Sequence, residues 1–176
     1  MGDRSAFAQI VERYWDRLYR WLYHLAHDAH VAEDLTQETL LKAFAHLNKF
    51  RLGTNFRAWL FRIGHNNFIN TRRRQKGTKQ ALPTDLATDQ PGPAEVAISQ
   101  EAVAAVAQAI TRLPVDFRSA FLLRVEEGLS FKQIAEVLDL TEQTARWRVF
   151  KARQKLLQVL HPDLAELAAS PEPDGP

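Results

Sequence analysis

The hydrophobic residues of this chain recur at three- and four-residue steps along most of its length, and no other feature constrains its fold as tightly. Phe7, Ile10, Val11, Tyr14, Leu18, Trp21, Leu22 and Leu25 fall on one face of a helix. Proline is absent from residues 1–76 and glycine is scarce there, so nothing breaks long helices. The spacing predicts one helix over 5–26 and a second over 31–47, with Leu35, Leu40, Phe44 and Leu47 inward. A loop over 48–55, containing Gly53, precedes a third helix running from Phe56 toward Arg74. No stretch alternates polar and apolar residues as a half-buried strand would. The expected class is all-α.

Residues 77–94 differ in kind. Gly77, Pro83, Pro91, Gly92 and Pro93 punctuate them and no period survives, which reads as a flexible linker. Helical pattern resumes at Glu95 and reaches Leu113, and Pro114 opens a further helix over 115–127 that Gly128 stops. The expected organisation is two small helical domains, 1–76 and 95–160, joined by that linker and followed by an acidic, Pro-rich tail at 161–176.

Composition narrows the function classes. The chain contains no cysteine, which excludes disulfides, thiolate catalysis and cysteine-based metal sites. No apolar run approaches the ~18 residues of a membrane span. The N-terminus has no apolar signal core, so a cytoplasmic location without membrane insertion is expected. The net charge of +2 is unevenly spread. Residues 1–80 carry 14 Lys and Arg against 7 Asp and Glu, whereas the tail carries 4 acids and no base. A basic first half suits a polyanionic partner.

The sharpest local signal lies between Ser130 and Leu160. Ser130 and Gln133 have capping-box spacing, so a helix starts there, and Ile134, Ala135, Val137 and Leu138 give it an apolar face. Asp139 and Leu140 make a short turn, and Thr141 can cap a second helix. Short helix, tight turn and longer helix is the layout of a helix-turn-helix, whose second helix enters the DNA major groove. In that second helix Ala145, Val149, Ala152, Leu156 and Val159 can pack inward. Gln143, Thr144, Arg146, Trp147, Arg148, Phe150 and Lys151 are the candidates to meet DNA.

A second basic region lies along the third helix and past its end, where Arg72, Arg73, Arg74, Lys76 and Lys79 follow Arg57 and Arg62 and are interleaved with Asn66, Asn67 and Asn70; these polar residues, with Phe56 or Phe50 at the loop, are expected to face nucleic acid. Arginine grips phosphates and asparagine hydrogen-bonds base edges. Most of the interleaved aromatics, among them Trp59, Phe61 and Phe68, are expected in the core. His24, His27 and His30 step by three and drift around a helix, so no metal site is expected. The acidic pairs Glu33-Asp34 and Glu126-Glu127 are expected on helix exteriors. No phosphate loop or nucleophile elbow occurs, so neither an enzyme nor a cofactor is expected.

Taken together these residues resemble the bacterial RNA polymerase sigma factors of the extracytoplasmic-function (ECF) group, within the sigma-70 family. AEDLTQETLLKAFAHLNKF at 32–50 resembles region 2.2 of that group, and FRAWLFRIGHNNFINTRRR at 56–74 resembles regions 2.3–2.4. Residues 113–156 are similar to region 4. The likeness covers nearly all of 5–160, in the family's order. It implies that Asp34, Gln37, Glu38 and Leu41 dock on the β′ coiled coil of core RNA polymerase, and that the second domain meets the β flap. It also implies that Arg51, Gly53, Thr54 and Asn55, with Asn66, Asn70, Arg72 and Arg73, meet a melted −10 element. The recognition helix would then read the −35 element, and an anti-sigma factor is the expected regulatory partner.

The chain departs from the family at several positions. Trp147 stands where a small residue is usual, Gln143 where glycine is common, Ala145 where valine is, and Asn70 where many members carry aspartate. Two other readings fit the residues: a stand-alone helix-turn-helix regulator, and a sigma-like decoy that occupies an anti-sigma factor. The decoy could dispense with Arg146, Arg148 and Lys151, which are present.

Overall fold

The structure, a computed structural model, describes residues 4–77 and 97–160. The expected linker and acidic tail lie almost wholly outside the described residues. Seven α-helices occur among them: α1 (Arg4–Ala26), α2 (Ala29–Ala45), α3 (Phe56–Gly77), α4 (Ala97–Arg112), α5 (Val115–Val125), α6 (Phe131–Leu138) and α7 (Glu142–Leu160). A 3₁₀ turn, Leu47–Lys49, follows α2.

The helix ends have local causes. His27 takes a positive φ of 54° after α1. Asp28 then caps α2, its carboxylate accepting from the Val31 amide at 3.0 Å. Gly128, at φ 63°, turns the chain after α5, where a side chain would be strained.

Helices α1–α3 pack around Leu18, Trp21, Leu22, Leu35, Leu40, Leu60 and Phe61. Trp21 meets the Phe61 ring edge-on at 5.2 Å. Burying each such side chain stabilises the fold by about 1.5–3 kcal/mol. Gly64 lets α3 approach closely, because a Cβ there would stand 3.2 Å from Leu18 Cδ1. Phe44, placed inward by its spacing, instead sits at the exposed edge of α2 with its ring 4.5 Å from Phe7. Thr36 and Thr39 take the inward positions. Their hydroxyls donate to Ala32 O and Leu35 O at 2.7 and 2.6 Å, which removes the cost of burying them.

The two halves of the chain close on each other. Helix α3 packs on α6 and α1 packs on α5, and the buried residues of α1–α3 and α5–α7 form one continuous hydrophobic cluster. A smaller cluster of Ala109, Leu113, Ala152 and Leu156 fixes α4 on α7. Two further exterior or interior assignments are corrected. Glu127, expected on a helix exterior, lies beyond the end of α5 and is 2% exposed. Arg17 and Arg57 of the first half neutralise its carboxylate there. Val159, expected inward, is exposed near the end of α7, past the contact with α4.

Candidate nucleic-acid interface

A basic groove of about 350 Å³ opens at the start of α3. Its loop is built by local hydrogen bonds. The Thr54 amide and hydroxyl both donate to Arg51 O, at 3.2 and 2.7 Å, with Gly53 at φ 88° completing the turn. Asn55 caps α3, its Oδ1 accepting from the Ala58 amide at 3.2 Å. That bond uses the amide oxygen and leaves Nδ2 as a donor. Phe50, Phe56 and Trp59 clamp the loop from below, with ring centroids 5.3–5.5 Å apart.

The groove brings together Arg51, Thr54 and Asn55 with Lys49, Trp59, Arg62 and Glu136. Asn66, Asn70 and Arg73 continue from Arg62 at helical spacing, all exposed, so the stripe extends along α3. Arg72 does not join it. Its guanidinium lies 5.7 Å over the Phe68 ring and lines a cavity between α3 and α5. Lys49 and Trp59 are additions to the expected set, whereas Arg57 and Asn67, expected to face nucleic acid, are turned inward, Arg57 to Glu127 and the buried Asn67 to Lys42 and Thr39. The four-residue step from Arg62 to Asn66 and Asn70 keeps Arg62 on the stripe, as expected.

The helix-turn-helix forms as its caps dictate. Ser130 Oγ accepts from the Gln133 amide at 3.2 Å, and Gln133 Oε1 accepts from the Ser130 amide at 2.9 Å. Asp139 turns the chain in the left-handed region, at φ 56°. Thr141 Oγ1 accepts from the Thr144 amide at 3.1 Å, and the two hydroxyls lie 2.8 Å apart, so Thr144 is tied into the cap. Helix α7 buries Ala145, Val149, Ala152 and Leu156, which turns Gln143, Arg146 and Trp147 outward and leaves Phe150 and Lys151 half-buried. Trp147 is 50% exposed and rests edge-on against Phe117, with centroids 5.4 Å apart. Arg146 pairs with Glu142 at 3.6 Å and lies 4.8 Å over Phe131, whose ring Arg124 also approaches to 4.8 Å.

Arg148 stands apart from that face. It is 20% exposed, 3.9 Å from Asp116, and lines the cavity between the halves with His65 and Arg72. Burial holds the His65 imidazole well below its ordinary range, at about 4; Asp116 and Asp139 oppose the shift and Arg148 adds to it.

On α2, Asp34, Gln37, Glu38 and Leu41 are all exposed and share one face. Lys42 Nζ stands 2.6 Å from Glu38 Oε1 and donates to Asn67 Oδ1 at 2.6 Å. Asn67 Nδ2 in turn donates to Thr39 Oγ1 at 3.0 Å, so the stripe is anchored to the core. Leu41 is 64% exposed, and Phe44 extends the apolar end of the stripe.

Comparison with known proteins gives a consistent picture. Residues 10–78 match the Sigma-70 region 2 family and residues 104–156 match Sigma-70, region 4. The chain is 35% identical to the ECF RNA polymerase sigma factor SigE of Mycolicibacterium smegmatis, over 96% of this chain and 68% of the relative. It is 34% identical to the RNA polymerase sigma-H factor of Pseudomonas aeruginosa, over 94% and 91% respectively. Among solved structures it is similar to the sigma factor RpoE in complex with the anti-sigma factor NepR from Bartonella quintana. The TM-score is 0.71 and the identity 27%, over 90% of this chain and 98% of that one.

Proposed function

We propose a division of labour between the two halves of this chain, which belongs to the ECF RNA polymerase sigma factors of the sigma-70 family. As a member of that family it binds core RNA polymerase, recognises promoter DNA and initiates transcription, and sigma factors are not catalytic enzymes. The first half, through 1–76, docks on polymerase by the α2 stripe of Asp34, Gln37, Glu38 and Leu41, extended by Phe44. Its groove of Arg51, Thr54, Asn55, Trp59 and Arg62 takes an unpaired base of the −10 element, and Asn66, Asn70 and Arg73 track the same strand. Arg72, held over Phe68 beside the α5 cavity, lies apart from this strand. The second half, through 95–160, lays α7 in the major groove of the −35 element. Gln143, Arg146, Trp147, Phe150 and Lys151 lie toward the base edges, and Thr144 and Arg148 lie on the flank. The protein acts in the cytoplasm, and the polymerase supplies the chemistry.

The observation that carries this reading is the groove at the start of α3. It combines cations for phosphate, an aromatic floor at Trp59 and an amide donor at Asn55, which is the chemistry of an unpaired nucleotide site. A duplex-binding regulator has no use for such a groove. Unstacking a base costs a few kcal/mol, which base contacts in the groove offset. Run-off transcription with purified core polymerase, beside permanganate reactivity of −10 thymines, tests the reading. Strand opening that depends on residues 51–55 is the expected result. Tight operator binding without polymerase, and no melting with any core enzyme, would favour the regulator.

A further inference from the structure

Leu52 is the most exposed large apolar side chain among the described residues, at 93%. Single exposed leucines are ordinary on protein surfaces. This one differs in how it is held and in what lies beside it.

The loop fixes Leu52 at an apex. The Thr54 amide donates to Arg51 O at 3.2 Å, which closes a four-residue turn with Leu52 and Gly53 at its centre. Gly53 has φ 88°, whereas the described non-glycine residues with positive φ are His27 and Asp139, so Leu52 keeps a negative φ. That combination is a type II turn with Leu52 at its first central position. The Thr54 hydroxyl adds a second bond to the same carbonyl at 2.7 Å. Phe50, just before the turn, packs on Phe56 and Trp59 and ties the segment to α3. Folding Leu52 back onto those rings would cost the turn its bonds.

The neighbours of that apex are those of a nucleotide site. Arg51 and Thr54, on either side of the two central residues, line the groove with Asn55, Trp59 and Arg62, and Leu52 stands at its rim. At 93% exposure the leucine gains almost nothing from packing in the free protein. Its apolar surface becomes useful only where something covers it. When a base leaves a stack, the face of its neighbour is bared to water. Proteins that kink or open duplexes insert apolar side chains, leucine among them, into that gap.

We propose that Leu52 is the wedge of strand opening, entering the −10 stack at the step a base vacates for the groove. The inference rests on the assignment of that groove to an unpaired −10 base. The loop then divides its work. Arg51, Asn55 and Arg62 hold the extruded nucleotide, and Leu52 covers the face left behind. That contact is indifferent to sequence, because every base presents such a face.

The test uses holoenzyme assembled from the full chain, with a promoter that the parent holoenzyme selects from a randomised pool. Leu52→Asn keeps the branching of the side chain but makes it polar, and Leu52→Met keeps it apolar. With so little of Leu52 in contact with protein, both variants should unfold at the parent temperature. The fluorescent base aminopurine, placed beside the permanganate-reactive −10 thymine, reads unstacking directly, and run-off transcription reads its consequence. Leu52→Asn should lower opening of the duplex by about tenfold. Leu52→Met should restore opening to within about threefold of the parent. On a template mismatched at −10 the asparagine variant should come within about twofold of the parent, because the step is already unstacked. Parent-level duplex opening by Leu52→Asn, while a Gly/Ser replacement of residues 51–55 abolishes it, overturns the wedge and leaves the groove assignment standing. Equal loss on duplex and mismatched templates makes Leu52 a base contact and overturns the wedge, as does a loss that tracks weakened core binding in a pull-down. Parent-level opening by the 51–55 replacement, or no opening by the parent on any promoter, overturns the groove assignment and the wedge together.

Discussion

Asn55 carries two roles on one side chain, and two substitutions separate them. Its Oδ1 accepts from the Ala58 amide at 3.2 Å and caps α3, while Nδ2 is the donor proposed to meet a −10 base. Asn55→Ala removes both. Loss of an N-cap costs about 0.5–2 kcal/mol. In a domain of this size each kcal/mol lowers Tm by about 2–4 °C. Asn55→Ser keeps a capping oxygen at the same backbone position, so its stability should stay within about 0.5 kcal/mol of the parent. It still loses the amide donor. One hydrogen bond is worth about 0.5–1.5 kcal/mol net, so open-complex formation on a duplex promoter should fall by roughly 2- to 13-fold. A template already unpaired at −10 should recover only part of that loss, because the missing contact is to the base itself. Thermal unfolding by circular dichroism reads the cap, and permanganate reactivity with run-off transcription on both templates reads the contact. Parent-level opening by the serine variant, with loss confined to alanine in proportion to its Tm, would reduce Asn55 to a cap.

Four further outcomes are expected. Asp34→Arg, on the exposed face of α2, should weaken core polymerase binding in a pull-down while stability stays within about 0.5 kcal/mol. Thr39→Val removes the hydroxyl that accepts from Asn67 Nδ2 in the core, and urea unfolding should show a loss of about 1–3 kcal/mol. The folded His65 titrates near 4 against 6.5 in the unfolded chain, so the unfolded state binds more protons between those values and stability falls as pH falls through that window. About 2 kcal/mol should be lost between pH 7 and pH 5, His24 and His27 shift in the same direction, and His65→Gln should flatten the curve. Arg148→Ala, on the flank of α7, should weaken −35 binding uniformly across a promoter library, whereas relaxed discrimination at one position would assign Arg148 to a base edge.

What could be seen in the sequence was whatever depends on neighbours three or four residues away. The capping box at Ser130 and Gln133, the turn at Asp139, the cap at Thr141 and the positive φ of Gly53 all follow from local chemistry, and each forms as expected. The α2 stripe of Asp34, Gln37, Glu38 and Leu41 follows from the same spacing. What escaped depends on contacts between distant segments. Phe44 is apolar and fits the inward period, yet its outer position is fixed by Phe7 of another helix. Thr36 and Thr39 look like surface residues until their hydroxyls are seen to bond back to the preceding turn. Arg72 and Arg73 are adjacent and identical, but only Arg72 finds Phe68 and the cavity beneath α5. Glu126 and Glu127 are the extreme case. The same residue type occupies consecutive positions after the same helix, and one is exposed while the other is buried. The difference is set by Arg17 and Arg57, 110 and 70 positions away in the chain. No periodicity encodes a pairing at that separation. A buried anion matched by two cations from the opposite half is stable only if the halves meet, so Glu127 reports the one property that local pattern leaves open, which is how the two halves stand in the free protein.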